Sequence, residues 1–198
     1  MTILLKRKRI TVTPALIFIL VFQAILIISC SSKTLKPYSH RDITINQFTK
    51  IAVMPLQNLT TDKFATQKIE SLLIMDFLAR GIDVIEPGEV MSALRQSKAQ
   101  SIDTMPVEAL QEIGKMINAD AVIVGSVGTF AINKGISVAY PEVSVNFIMI
   151  DMQSGSIIWS AWHTSGGPDF WTRHFGAEGD TLDEIAREVV KDTVDTLY

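Results

Sequence analysis

Few residues in this chain are of types that do covalent or metal chemistry, and their spacing fits no familiar catalytic set. There is no HExxH, no GxSxG and no Walker loop. Gly125-Ser126-Val127-Gly128 lacks the third glycine and the following helix of a dinucleotide site. His163 and His174 flank a stretch that also holds Asp169 and Glu178, donor types that zinc accepts. Ten residues separate the two histidines and no companion motif stands nearby, so they read as surface or hydrogen-bonding side chains and no metal is expected. Asp120 precedes Ala121-Val122 and offers a carboxylate at a strand edge; the plainer reading is a polar residue at the entrance to a buried strand. Asn58-Leu59-Thr60 matches a glycosylation sequon and serves better as the turn after the first strand. The expectation is a protein that is not an enzyme and carries no cofactor.

The residue with a clear chemical fate is Cys30. Lys6-Arg7-Lys8-Arg9 forms a basic block, and residues 14–28 are apolar except for Gln23. That is the layout of a secretory signal, with an apolar segment shorter than the roughly 20 residues a spanning helix prefers. Ile27-Ile28-Ser29-Cys30 resembles the lipobox of bacterial lipoprotein precursors. The resemblance implies cleavage before Cys30 and acyl chains, palmitate among them, on its sulfur. Cys30 is the only cysteine, so it closes no internal disulfide. The alternative, an uncleaved amino-terminal anchor, also places the domain outside the cytoplasm. Ser31 rather than Asp follows the cysteine; by the sorting rule that goes with the lipobox, this implies the outer membrane of a two-membrane cell, with the domain facing the periplasm.

Removal of residues 1–29 takes four of 18 basic residues and none of 21 acidic ones, which leaves a mature charge of −7. An acidic surface argues against nucleic acid as the partner, since the phosphate backbone requires a basic patch. Aromatic surface is concentrated instead: residues 159–175 hold all three tryptophans, Trp159, Trp162 and Trp171, with Phe170 and Phe175, around Gly166-Gly167-Pro168. Such rings either pack on the domain's own sheet or form an anchor patch for a protein partner or a second copy of the chain. Trp162, Phe170, Trp171 and Phe175 are the candidate partner-binding residues.

The elements that must position these residues alternate along the chain. Residues 30–47 read as a lipidated polar tether, at most about 55–60 Å if fully extended. A domain over 48–198 follows. Ile51 to Leu56 reads as a strand ended near Pro55, Phe64 to Arg80 as a helix stopped by Gly81, and Ile82 to Ile85 as a second strand. Pro87 and Pro106 open helices that run to about Arg95 and Ile117. Ala119 to Val127 is apolar on both faces and belongs mid-sheet. Val143 to Met152 and Ser156 to Trp162 form strands joined through Gly155, and Thr181 with Glu184 stand at capping-box spacing before a final helix.

The order and content of these segments resemble the curli secretion-channel (CsgG-like) family and its relatives. Those relatives include the outer-membrane lipoproteins that activate penicillin-binding proteins and the amino-terminal domain of the Tol-Pal system's β-propeller protein. The resemblance rests on Ile51 to Asn58, Gly81 to Glu86, Ile113-Gly114-Lys115 with Ala119 to Ser126, and Asp151 to Ser160. It implies a single three-layer-like α/β domain, a mixed sheet with helices packed on it, working by binding or assembly in the cell envelope. The expected partner is an envelope protein or a further copy of the chain. The alternative is a subunit of an oligomeric outer-membrane secretion channel. Membrane strands need about 9–11 residues of alternation, and the spaces at 128–142 and 161–180 look too short and too interrupted by glycine and proline to supply them.

Overall fold

The computed structural model describes residues 33–40, 45–97, 102, 104–134, 139–167 and 179–198. The chain divides into Met1–Cys30 and Ser31–Tyr198; the first part, and Cys30 with it, lies outside the described residues. The strands are β1 (Thr34–Ser39), β2 (Lys50–Val53), β3 (Gln57–Asn58), β4 (Asp83–Val84), β5 (Ala121–Lys134), β6 (Ala139–Asp151) and β7 (Ile157–Gly166). The helices are α1 (Ala65–Ala79), α2 (Pro87–Gln96), α3 (Val107–Met116) and α4 (Leu182–Asp195).

One mixed sheet holds all seven strands in the order β1-β7-β6-β5-β2-β4, with β3 also paired to β5. β5 pairs parallel with β2, as Ile51↔Ala121 to Val53↔Ile123, and antiparallel with β6 on its other side. It is therefore the mid-sheet strand expected from its continuous apolar run. Ala121, Ile123, Val127 and Phe130 point into the layer formed by α1 and α4, where Ile69, Leu73 and Phe77 of α1 meet Ile185, Val189 and Val194 of α4. Val122 points the other way, toward Val90 and Leu94 of α2 and Leu110 and Ile113 of α3. Helix ends follow local chemistry. Thr181 Oγ1 accepts the Glu184 N–H while Glu184 Oε2 accepts the Thr181 N–H, the capping box its spacing implies. Asn118 ends the turn after α3 at φ 52°.

Two expectations need correction. The tether does not extend to residue 47: Thr34–Ser39 pairs antiparallel with β7, from Thr34↔Thr164 to Ser39↔Trp159, as an exposed edge strand. Pro37 is compatible with this because an edge strand keeps one side unpaired. Nor do residues 128–142 form a connector. β5 runs on to Lys134 and β6 begins at Ala139, with Pro141 paired to Ile132 inside the ladder. The register shifts between Val127 and Thr129, so the residue between them, Gly128, sits in a bulge that resets the inward face to Phe130 and breaks the period-two pattern. Among the described residues four pairs, Ala131↔Glu142 to Lys134↔Ala139, extend beyond the core pair Phe130↔Val143. That is short of the roughly 9–11 residues a membrane strand requires. Among the described residues no helix is long and apolar enough to cross a membrane.

Candidate functional site

β7 divides its side chains sharply. Trp159, Ala161, His163 and Ser165 are buried under α4, whereas Ser160, Trp162 and Thr164 face the other side. On that side α2 and α3 cover β2 and the adjoining parts of β5 and β6, through Val122, Ile150 and Met152. Among the described residues no helix covers the face formed by β1, β7 and the outer half of β6. Three cross-strand rows line it. The first is Thr34, Thr164, Ser144 and Thr129 and the second Lys36, Trp162, Asn146 and Ser126; the third, Tyr38, Ser160, Ile148 and Val124, runs to the edge of the helix layer, where Ile148 and Val124 pack against the cluster under α2 and α3.

Trp162 occupies the middle of this face and is 46% exposed. Its Nε1–H donates to Ser144 Oγ at 3.2 Å, and Ser144 Oγ shares a hydrogen bond with Thr164 Oγ1 at 2.9 Å. Lys36 Nζ stands 5.7 Å from the ring centroid, a cation–π contact. Tyr38 is exposed two residues further along β1. The indole is thus fixed in orientation by its own sheet before anything binds, so little rotamer entropy is left to lose on contact. An immobilised Trp ringed by hydroxyl and amide groups is the composition of a protein-binding hot spot. Lys36 adds a cation to this face.

Of the candidate binding residues, Trp162 lies half exposed on this face, while Phe170, Trp171 and Phe175 lie outside the described residues. Lys36 and Tyr38 fall in the segment that reads as tether; Pro37 within the Leu35-to-Ser39 run is the sequence signal for an edge strand. Trp159 belongs to the core. It is fully buried, its ring centroid lies 6.5 Å from that of Phe147, and its Nε1–H donates to Thr196 Oγ1 at 2.9 Å.

The polar residues singled out for chemistry have structural partners. Asp120 Oδ2 accepts three hydrogen bonds, from the Thr49 N–H at 2.9 Å, the Thr49 hydroxyl at 2.8 Å and the Lys50 N–H at 2.9 Å. Burial alone would push its pKa up, but these donors outweigh it and hold the carboxyl below its ordinary value. It ties the start of β5 to the start of β2. His163 is 1% exposed, with Nδ1 3.2 Å from the Val189 carbonyl oxygen and 3.1 Å from Thr193 Oγ1. Burial is the largest influence and pushes its pKa down, against the pull of the Val189 carbonyl and Asp192. His174, Asp169 and Glu178 lie outside the described residues, and among the described ones no three His, Cys, Asp or Glu side chains gather at one point. The sequon residues make a turn: the Thr60 N–H and hydroxyl both donate to Asn58 Oδ1, at 2.9 and 2.8 Å, and Asn58 Nδ2 donates to the Asp62 carbonyl at 2.8 Å.

A family model described as peptidoglycan-synthase activator LpoB matches residues 31–163, from the start of the described domain to His163 on β7. No curated protein sequence matches the chain. Among solved structures, the PelC dodecamer from Paraburkholderia phytofirmans superposes with a TM-score of 0.57 at 26% identity, covering 83% of this chain and 96% of that one. Lipoprotein GNA1162 from Neisseria meningitidis gives 0.55 at 16% identity, over 75% and 99% of the two chains, and so supports the fold alone. The LpoB C-terminal domain from Salmonella enterica gives 0.43 at 16%, over 63% and 85%. The curli-channel side of the resemblance finds no support in these matches.

Proposed function

Because the chain belongs to the peptidoglycan-synthase activator LpoB family, we propose that it is an envelope lipoprotein that activates a peptidoglycan synthase by binding it, without catalysis of its own. The family match over residues 31–163 carries this reading. A surface consistent with it is the part of the sheet that no described helix covers, with Trp162 as the proposed anchor and Lys36 and Tyr38 beside it. Asp120 and His163 are held in structural roles, which fits a protein that works by contact. Cys30 carries the acyl chains, and the domain faces the periplasm from the outer membrane.

The test adds the purified mature lipoprotein to a peptidoglycan synthase from the same cell and follows glycan-strand synthesis and crosslinking. Wild type should raise the rate and Trp162→Ala should raise it far less. No rate change with folded wild type would overturn the activator reading. A photo-crosslinker in place of Trp162 should trap the synthase in native envelopes.

A second reading has its own observation. The PelC chain that shares 26% identity across 83% of this chain forms a dodecamer, and on that likeness this chain is a ring-forming subunit whose partner is its own copy. Mass measurement of the lipoprotein in detergent separates the two: a monomer excludes the ring, and a closed ring would make Trp162 a subunit contact to be tested by its truncation.

A further inference from the structure

The pairing of β1 has a consequence for where the membrane lies. Thr34 sits opposite Thr164, and just before it Lys33 Nζ is tied to Glu188 and Asp192 on α4. Between Cys30 and the ladder, the chain from Cys30 to Thr34 spans only four residue steps, at most about 14 Å at roughly 3.5 Å each. Thr34 belongs to the row that continues through Thr164 and Ser144 to Thr129. From that row the β5–β6 hairpin continues to Lys134↔Ala139, five steps in the direction from which β1 enters, or about 17 Å at roughly 3.4 Å per residue. The hairpin end therefore projects as far as the lipid attachment point can reach, or slightly beyond it.

On the reading that Cys30 is acylated, we infer that the β5–β6 hairpin end of the domain stands against the bilayer that holds those acyl chains, with Ile132, Lys134 and Tyr140 at headgroup level. Acyl chains buried in the membrane keep Cys30 at its surface, and a tether this short cannot lift the hairpin clear of it while the sheet stands upright. The residue types agree with the position. Ile132 is 64% exposed, a single isoleucine that would otherwise need no explanation. Tyr140 is of the kind that favours the interface, and Lys134 can extend its ammonium to the headgroups. The mature charge of −7 gives anionic lipid no general attraction, so the anchor and its short leash hold the end in place. β6, with its 13 residues, then stands about 44 Å tall, and the turn at Asp151–Ser156 marks the far limit. A partner from elsewhere in the envelope must come within that distance of the membrane to reach Trp162.

Cys30 is the only native cysteine, so an introduced cysteine in the acylated protein is the single free thiol. Lys134→Cys, Tyr38→Cys and Gln153→Cys are each labelled with an environment-sensitive fluorophore. They report on the hairpin end, the uncovered sheet face and the opposite end. The acylated protein, verified by mass, is reconstituted in phosphatidylcholine vesicles carrying a headgroup spin label. Quenching should be several-fold stronger at 134 than at 153, with 38 between them. Equal quenching at 134 and 153, or strongest quenching at 38, would overturn this orientation while leaving the lipid anchor intact; the latter would mean that the sheet lies flat on its open face. A mature protein with no acyl chain on Cys30 would sink the anchor reading and the orientation with it.

Discussion

Trp159 and Trp162 lie three residues apart on β7 and face opposite sides of the sheet, so truncating each separates a folding role from a surface role. Trp159→Ala removes a fully buried ring stacked against Phe147, a loss of about 3–5 kcal/mol for large aromatic truncations in cores. It also deletes the hydrogen bond to Thr196 Oγ1, but that hydroxyl still donates to the Thr193 carbonyl at 2.7 Å, so no donor is orphaned and the cost stays in that range. Trp162 is 46% exposed. Half of the roughly 1.5–3 kcal/mol for burying a large apolar side chain, with about 1 kcal/mol for the bond to Ser144, gives about 2 kcal/mol for Trp162→Ala. A domain of this size is stable by on the order of 5–15 kcal/mol, so the first variant approaches unfolding and the second stays folded. Urea unfolding of the lipid-free mature protein, followed by far-ultraviolet circular dichroism, measures both, with m-values equal to wild type. Equal costs for the two would refute the open sheet face, and a cost below about 1 kcal/mol for Trp159→Ala would refute its place in the core.

Cys30→Ala should leave an uncleaved precursor that takes up no labelled palmitate; normal processing of that variant would remove the lipoprotein assignment. Gly125→Ala should destabilise the domain by at least about 1–3 kcal/mol, because the added Cβ would meet the Asn146 carbonyl oxygen at 2.1 Å; a wild-type melting temperature would contradict the close β5–β6 approach. Burial pushes the pKa of His163 below its ordinary value. The unfolded imidazole therefore binds a proton the folded one refuses, and stability should fall as pH drops below about 6.5, by at most about 1.4 kcal/mol per pH unit. His163→Gln should flatten that part of the stability–pH curve. Thr181→Ala should cost about 1 kcal/mol through loss of the capping box, measurable as a shift in urea midpoint.

The sequence by itself determined the elements whose signals are local. The helix that Gly81 stops, the Thr181–Glu184 box, the positive φ of Gly155 and the two-faced apolar run of β5 each follow from a local pattern or a single turn requirement, and each is present. The tertiary structure decided what depends on a neighbour. Thr34–Ser39 has no buried face of its own, since every residue in it is exposed. It is a strand because β7 offers an unpaired edge, and that edge cannot be seen from residues 34–39. The length of the β5–β6 hairpin was hidden by the bulge at Gly128, where one extra residue reverses the alternation on which strand reading depends. The site was half legible for the same reason. Trp162 stands out by type alone, whereas its neighbours Lys36 and Tyr38 come from a segment more than 120 residues earlier in the chain and join it only through the β1–β7 ladder. Spacing along a chain records which residues share a helix or strand face, but the choice of an edge partner is settled by which backbone groups remain unpaired once the sheet has formed.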